Sequence, residues 1–258
     1  MIDSKKEFEN IKIRFDSAIN SVNVERGLSN VESFKEKYQK AFDEMYAKPH
    51  IAFGNKKLPK TTAIYNIGTW FLCEGRLKGF CELHEICYAK SREVMGNTIK
   101  SRLNNYYFWK TNDAQRIANF IVYSIKAESM KGDKINLLRF NEVGEFENQE
   151  DLVKMRDISN IVYEQTGVKS YTYTHNRDLD FNIDRPHLTI NGSGFIIDNQ
   201  FTVISPSEYK RYVENHNCFE CLQKCEMCNS ICSQKLGIEI VEVEKWAIGS
   251  QQQIGQSS

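Results

Sequence analysis

Residues 135–176 read INLLRFNEVGEFENQEDLVKMRDISNIVYEQTGVKSYTYTHN and contain two strand patterns with one helical pattern between them. The strands are predicted at 135–140 and 169–174 and the helix at 149–164, and Gly167 suits the left-handed position after a helix. The apolar residues of the helix recur every three or four positions: Leu152, Met155, Ile158, Ile161 and Val162. This strand–helix–strand unit predicts two parallel strands joined by a helical crossover.

The same alternation continues on both sides of this unit. Further strand patterns occupy 62–71, 188–191, 201–205 and 238–243. Further helical patterns occupy 91–110, 112–130 and 208–215. Strands that alternate with helices predict an α/β fold with a mostly parallel sheet.

Composition and pattern divide the chain into four parts. These are a helical N-terminal arm at 1–50, an α/β core at 51–215, a cysteine-rich segment with the final strand at 216–248, and a disordered tail at 249–258. Within the arm, Gly27, Ser29 and Asn30 predict a break between two helices. The arm ends at Pro49.

The bulk composition excludes some classes of protein. Lysine plus arginine (34) equals aspartate plus glutamate (34), so net charge gives no support for a nucleic-acid or membrane-surface partner. The N-terminal residues lack the apolar core of a secretory signal, and no apolar run is long enough to span a bilayer. We therefore expect a cytoplasmic protein whose thiols stay reduced.

The C-terminal cysteines form a dense run, C-x2-C-x3-C-x2-C-x3-C, made of Cys218, Cys221, Cys225, Cys228 and Cys232. Thiols this close are typical of a metal centre, and the absence of a long gap between ligand pairs favours an iron–sulfur cluster over zinc. Zinc, or free redox thiols, are the alternatives. The spacing leaves open which four of the five would be ligands.

The other cysteines, Cys73, Cys81 and Cys87, follow the strand pattern at 62–71 with the spacing C-x7-C-x5-C. Three thiolates are an incomplete set for a cubane and would leave one iron open to another ligand. Alternatively, a C-terminal cysteine completes the set, or the thiols are buried without metal. His84 lies inside the loop, where a surface position is the commoner role for a lone histidine.

A site is predicted at the carboxyl ends of the strands, where α/β sheets bind ligands. The loops at that edge are polar and contain glycine or cysteine: 73–87, 141–146, 175–178 and 191–194. Ordinary connecting loops share this composition, so that reading stays open.

Motif order points to a known family across about residues 62–235. The chain combines C-x7-C-x5-CYAK, the segment LLRFNEVGEFENQEDLVKM, the strand YTYTHN and a late run of cysteines. In this it resembles the phage gene product 88 family, proteins of viruses and mobile elements with no assigned activity. The resemblance implies a phage protein in the host cell cytoplasm.

A more distant resemblance is to the radical S-adenosylmethionine enzymes. It implies a partial (β/α) barrel in which Cys73, Cys81 and Cys87 hold a [4Fe–4S] cluster and the C-terminal cysteines hold a second one. It further implies that Gly144 and Glu145 contact the methionyl amine of S-adenosylmethionine, and that Asn191 contacts its ribose or carboxylate. The usual spacing of that family, C-x3-C-x2-C, is replaced here by a wider one.

Two classes of function therefore remain open. One is an iron–sulfur enzyme of radical S-adenosylmethionine type, or one whose open iron acts as a Lewis acid. The other is a non-catalytic iron–sulfur or zinc protein that contacts nucleic acid or a protein partner. Its candidate contacts are Arg102, Arg139, Arg177 and Arg211. Glu145 also has an alternative role, as a negative charge near the start of the following helix.

Overall fold

The computed structural model describes residues 4–21, 31–45, 48–81, 84, 87–93 and 97–243. The arm contains two helices, α1 (Ser4–Ser21) and α2 (Val31–Asp43). The predicted break at Gly27, Ser29 and Asn30 and the predicted disordered tail lie outside the described residues.

One sheet dominates the described chain. Its strands are β1 (Ala52–Phe53), β2 (Thr62–Tyr65), β3 (Leu137–Phe140), β4 (Lys169–Thr174), β5 (Leu188–Ser193), β6 (Asn199–Ile204), β7 (Cys218–Glu220) and β8 (Glu239–Val243). Their order is β1-β2-β3-β4-β5-β6-β8-β7. Only the pair β1–β2 is antiparallel among them. The predicted α/β class is confirmed, and the sheet is open rather than closed into a barrel.

The remaining helices connect or flank these strands. They are α3 (Glu74–Leu77), α4 (Tyr88–Glu93), α5 (Thr98–Thr111), α6 (Ala114–Ser129), α7 (Gln149–Thr166), α8 (Pro206–Asn215) and a 3-10 turn, Ile231–Ser233. Helix α7 begins where the Asn148 side chain accepts a 3.0 Å bond from the Asp151 N–H, and it ends at Gly167 with φ 73°. Both features agree with the predicted helix.

The two faces of the sheet differ in what covers them. Alternate strand residues such as Leu138, Phe140 and Ile190 pack into an apolar core with α6 and α7. The neighbouring residues Arg139 and Tyr171, paired across β3 and β4, belong to the opposite face. That second face carries polar and aromatic side chains, and the cysteine-rich segment packs on it.

A second apolar core joins the helical arm to the first cysteine loop. Phe15 of α1 and Tyr38 of α2 are fully buried there and stack on Phe71, with ring centroids 5.3 and 4.3 Å apart. Trp70 and Leu72 belong to the same core. The arm therefore packs directly on the residues that lead into Cys73.

The predicted strand at 62–71 was too long, because β2 ends at Tyr65. Beyond it, two asparagine side chains bind loop backbone instead of sheet partners. Asn141 Oδ1 accepts from the Ile67 N–H at 3.1 Å, and Asn66 Oδ1 accepts from the Val143 N–H at 3.2 Å. These contacts hold the loops after β2 and β3 against each other at the carboxyl edge.

Other differences from the sequence pattern are local. The single helix predicted at 91–110 is two helices, α4 and α5. The short strands β1 and β7 were not predicted, because two or three residues are too few for an alternation to register. No helix in the described part of the chain combines the length and the apolarity needed to cross a membrane.

Candidate metal centres

The cysteines Cys73, Cys81 and Cys87, called the rim cysteines below, lie in the loop that follows β2. Cys73 caps the start of α3, and Gly75 lies beside it. A Cβ atom on Gly75 would lie 3.0 Å from the Cβ of Cys81 and 3.7 Å from the Sγ of Cys73. The missing side chain at Gly75 thus leaves room for two cysteines to approach each other.

The rim cysteines form one electrostatic group with a buried carboxylate. Burial, and then the negative charge of Glu145, raise the pKa of the Cys73 thiol to about 12, with smaller contributions from Cys87 and Cys81. The backbone N–H of Arg76, which donates to the Cys73 carbonyl at 3.1 Å, acts on the pKa in the opposite direction. The predicted neighbours Cys73 and Glu145 therefore do lie close together at the carboxyl edge.

Glu145 follows β3 and is only 7% exposed. Its Oε1 accepts from the Thr174 hydroxyl at 2.5 Å and from the Phe146 N–H at 2.8 Å, while its Oε2 accepts from the His175 N–H at 2.6 Å. Burial raises its pKa to about 7, although these hydrogen bonds act in the opposite direction. The carboxylate is thus fixed in place beside Cys73.

Gly144 sets the path of the chain into Glu145. Its φ is +103°, a backbone conformation that favours glycine. A Cβ there would lie 3.0 Å from the backbone nitrogen of Gly68. The two glycines let the loops after β2 and β3 touch, which brings the rim cysteines and Glu145 to the same place.

Cys87 lies at the start of α4. Burial raises the pKa of its thiol, whereas the backbone N–H groups of Ala89 and Lys90, which donate to the sulfur, and the charge of Arg102 lower it. N–H groups aimed at a sulfur stabilise its thiolate form. This arrangement suits a metal ligand, because a cysteine binds metal as the thiolate.

His84 lies between Cys81 and Cys87 in the rim loop. Its Nδ1 lies 2.8 Å from the carbonyl oxygen of Cys81, and its own carbonyl accepts a 3.3 Å bond from the indole of Trp70. The ring is therefore engaged with the loop backbone.

The sequence reasoning missed the residues that hold the rim loop. Glu93, fully buried in α4, accepts from the Trp70 N–H at 2.7 Å and from Arg102 at 2.6 Å, and the hydroxyl of Tyr38 donates to it as well. From α1, Arg14 donates to the carbonyl of Leu72 at 2.9 Å. The helix that contains Glu93 reads YAKSRE, so nothing in its sequence distinguishes Glu93 from a surface charge.

Arg14 also pairs with the carboxylate of Glu74, the residue after Cys73. Glu74 is 4% exposed and binds Lys78 at 2.7 Å as well. Together with Tyr38, this pair ties the helical arm to the backbone on either side of Cys73. The helical arm thus packs directly against the rim loop.

The C-terminal cysteines occupy different elements. Cys218 is in β7, paired in register with Glu239. The N–H of Cys221 donates to the Val241 carbonyl at 2.7 Å, and the N–H of Cys225 donates to the Lys57 carbonyl at 3.1 Å. Cys232 lies in the 3-10 turn on the polar face of the sheet. The segment therefore contacts both the last strand and the connection between β1 and β2.

Asn191 lies under this segment, away from Glu145. It is fully buried, and its amide donates to the carbonyls of Thr172 at 3.1 Å and Cys232 at 2.9 Å. Its oxygen accepts from Asn199 at 2.9 Å. Contact between Asn191 and a ribose or carboxylate stays a prediction.

The candidate partner-contacting arginines do not form one patch. Arg102 was predicted to contact a partner, but it is 8% exposed and paired with Glu93, so it is not available for such a contact. Arg211 is exposed on α8. Arg139 lies over the rings of Tyr171 and Tyr173, with its guanidinium carbon 5.9 and 5.0 Å from their centroids. Arg177 lies 4.8 Å from the ring of Phe195.

The candidate donor atoms are cysteine sulfurs, which thiophilic metals prefer. All eight cysteines are thiols outside any disulfide and are partly exposed. Among the described residues, no three His, Cys, Asp or Glu side chains are placed as a ready metal site. Residues 82–83 and 85–86 of the rim loop lie outside that description. Thiolate donors alone select iron–sulfur clusters or zinc rather than hard cations.

Comparison with known proteins agrees with the motif order. The family model described as Gene product 88 matches residues 31–200. The matched stretch includes the rim cysteines and Glu145 and ends before Cys218. Neither the curated proteins nor the solved structures gave a match. Because the matched residues make up well over half of the chain, the chain belongs to the Gene product 88 family.

Proposed function

We propose that this chain is an iron–sulfur protein whose rim cysteines hold a [4Fe–4S] cluster, with a second metal centre among the C-terminal cysteines. The observation that carries the proposal is the meeting of Cys73 with Cys81, Cys87 and buried Glu145 at the carboxyl edge of a parallel sheet. This edge is where α/β proteins bind ligands. The donor set contains only thiols, the usual ligands of iron–sulfur clusters.

The environment of the sulfurs supports a bound cluster. The backbone N–H groups of Ala89 and Lys90 donate to the Cys87 sulfur in the rim loop. Hydrogen bonds to sulfur and exclusion of solvent are two of the factors that set the potential of such clusters. Without metal, burial favours the neutral thiols, so the positive charge of iron would supply what this site lacks.

The residues around the rim loop hold and orient it. Glu93 binds the Trp70 N–H and Arg14 binds the Leu72 carbonyl, which fixes the backbone that leads into Cys73. The Trp70 indole fixes the backbone at His84. When bound, the cluster would supply an electron at low potential and one iron open to an amino and a carboxylate group. Glu145 lies where it can accept a hydrogen bond from an ammonium group.

We also propose S-adenosylmethionine as the ligand of that open iron. Support comes from Gly144 and Glu145, which follow the second parallel strand, next to a three-cysteine loop that follows the first. The wide spacing of the rim cysteines departs from the usual motif, so this ligand needs its own test. Anaerobic, reduced protein incubated with S-adenosylmethionine should release 5′-deoxyadenosine. No release from protein with a reduced cluster would leave a non-catalytic iron–sulfur protein.

The cluster itself is tested by metal analysis. Full-length protein purified without oxygen should be brown and contain iron and acid-labile sulfide in equal amounts. Cys81→Ser should remove about four irons per chain. His84→Asn is the matched control in the same loop, and it should keep its iron because the ring faces the Cys81 carbonyl. Zinc in place of iron, or no metal lost in Cys81→Ser, would contradict the proposal.

A further inference from the structure

Four of the five C-terminal cysteines form a group from which the fifth is separate. The sulfur of Cys221 interacts electrostatically with that of Cys228, the sulfur of Cys225 with those of Cys228 and Cys221, and the sulfur of Cys232 with those of Cys221 and Cys225. The group, called the four-thiol group below, is Cys221, Cys225, Cys228 and Cys232.

Cys218 has different neighbours. The charges that act on its sulfur are those of Glu239 and Glu220, and no thiol is among them. It faces two tyrosines, Tyr209 and Tyr212, whose hydroxyls bind those same glutamates at 3.0 and 2.8 Å. Two carboxylates beside Cys218 make it a poor ligand for a metal centre, because their negative charges repel the thiolate that would bind the metal.

The backbone between Cys221 and Cys232 turns sharply, as expected of a chain that surrounds a metal centre. Among the described residues, four other than glycine have positive φ, and three of them, Gln223, Asn229 and Ser230, lie between Cys221 and Cys232. The N–H of Gln223 donates to the Cys221 sulfur, and the Cys228 thiol lies 3.7 Å from the Cys225 carbonyl. Unfavourable backbone conformations of this kind persist where something over-determines them, and they cluster at ligand sites.

Each end of the group is fastened to a different part of the sheet. Cys225 binds the Lys57 carbonyl in the β1–β2 connection, and the Lys57 ammonium binds Glu242 of β8 at 2.8 Å. At the other end, Asn191 binds the Cys232 carbonyl and Thr189 binds the Ser233 carbonyl at 3.0 Å. The hydroxyl of Tyr173 donates to the Cys232 sulfur. The segment thus crosses the polar face from β5 to the β1–β2 connection.

We propose that the four-thiol group binds one thiophilic metal centre as a clasp that joins the β1–β2 connection to the last strand, and that Cys218 takes no part. This rests on the proposed function and names the ligands of its second centre. Zinc and an iron–sulfur cluster share the tetrathiolate chemistry, and the side chains, not placed as a ready site, would close on the metal.

The test compares three single variants of the full chain, each purified without oxygen and analysed for iron, zinc and sulfide per chain. Cys228→Ser should lose one complete centre. Cys218→Ser is the matched control in the same segment and should keep the metal content of the unaltered chain. Cys81→Ser should lose the other centre. If the metal that Cys228→Ser loses is zinc alone, the clasp is a zinc site. If the variant loses iron together with sulfide, the clasp is an iron–sulfur cluster.

The outcomes separate the two proposals. If Cys218→Ser loses as much metal as Cys228→Ser, or if Cys228→Ser loses none, the clasp is wrong while the rim cluster stands. If Cys81→Ser and Cys218→Ser both keep all their metal while Cys228→Ser loses one centre, the rim cluster is wrong and the clasp stands. A chain free of metal overturns both.

A second measurement avoids variants that fail to fold. The native, unaltered protein is treated with iodoacetamide and the modified cysteines are mapped by mass spectrometry, with protein unfolded in a chelator as the reference. Cys218 should be alkylated at least tenfold faster than any member of the four-thiol group. Equal labelling of all five cysteines would overturn the assignment.

Discussion

The backbone N–H of Trp70 donates a 2.7 Å hydrogen bond to the carboxylate of Glu93, 23 residues further along the chain. Trp70 precedes Cys73 and Glu93 follows Cys87, so this bond closes the base of the rim loop. The same carboxylate accepts from Arg102, and both side chains are buried. A buried charge pair thus fixes the distance between the two ends of the loop.

Replacing Glu93 by alanine should destabilise the protein strongly. The change leaves the Arg102 guanidinium buried without its partner, and losses of that kind are about 3–5 kcal/mol in the free energy of unfolding. Urea unfolding measures it. The double variant Glu93→Met with Arg102→Met should recover only part of the loss. Apolar side chains can replace a buried ion pair, but the Trp70 N–H and the Tyr38 hydroxyl would still lose their acceptor.

An exposed ion pair provides the control for Glu93. Lys131 binds Glu128 at 2.8 Å with 71% of the lysine side chain exposed, so Lys131→Ala should change the free energy of unfolding by less than about 1 kcal/mol. If Glu93→Ala is no more harmful than Lys131→Ala, the rim loop does not depend on the buried pair.

The contact between Gly144 and Gly68 leads to a second prediction. Gly144→Ala should lower the free energy of unfolding by about 2–4 kcal/mol, because its φ of +103° is unfavourable for alanine and the new Cβ would lie 3.0 Å from backbone that cannot move freely. If the rim cysteines bind iron as proposed, the iron content should fall as well, since Gly68 belongs to the loop that leads to them.

Gly132→Ala is the matched control for this change. Gly132 also has a positive φ, +124°, but nothing lies within 4 Å of the position of a Cβ. It should therefore show only the conformational part of the loss, roughly 1–2 kcal/mol, with the iron content intact. Equal losses in the two variants would mean that the close approach of the two loops contributes nothing.

The sequence predicted the parallel sheet and the meeting of the rim cysteines with Glu145 for one reason. Parallel strands leave their following loops at one edge, so order along the chain fixes what meets there. The pattern of α7, with Asn148 before it and Gly167 after it, is local and was therefore readable. Strand β4 was predicted with the bounds that the structure has.

What the sequence did not reveal depends on contacts between distant residues. The strand pattern continued beyond Tyr65 because Ile67 and Phe71 keep the alternation, but Phe71 packs on the helical arm rather than in the sheet. Tyr38 lies in the predicted helical arm, but its hydroxyl donates to Glu93, 55 residues further along the chain, and no local pattern reveals that contact. No spacing rule separates Cys218 from the other C-terminal cysteines, since that depends on the pairing of β7 with β8.

Asn191 gives a third prediction, which distinguishes a role in fastening the cysteine segment from other roles. Asn191→Ala removes two donor contacts and one acceptor contact in a fully buried place, so the free energy of unfolding should fall by about 1–3 kcal/mol. Alkylation of Cys232 in the native protein should become faster. The exposed Asn119→Ala, which loses only a contact with Gln115, should change neither quantity. Normal stability and unchanged labelling of Cys232 in Asn191→Ala would count against the fastening role.

Glu145 predicts how stability depends on pH. Its pKa in the folded chain is about 7, above the ordinary value of 4.5, so folding favours its protonated form. The stability that this provides is complete below about pH 4.5 and is lost as the pH rises through about 7. Glu145→Gln cannot lose a proton, so its free energy of unfolding should not fall over this pH range. Between pH 5 and 8, its free energy of unfolding should therefore rise relative to that of the unaltered chain by up to about 3 kcal/mol, both proteins being free of metal. Urea unfolding at several pH values measures the difference.

Glu164→Gln, a change at an exposed carboxylate, should follow the pH profile of the unaltered chain. If the Glu145→Gln profile stays parallel to both, the carboxylate does not titrate as a buried group, and its fixed place beside Cys73 would have to be reconsidered.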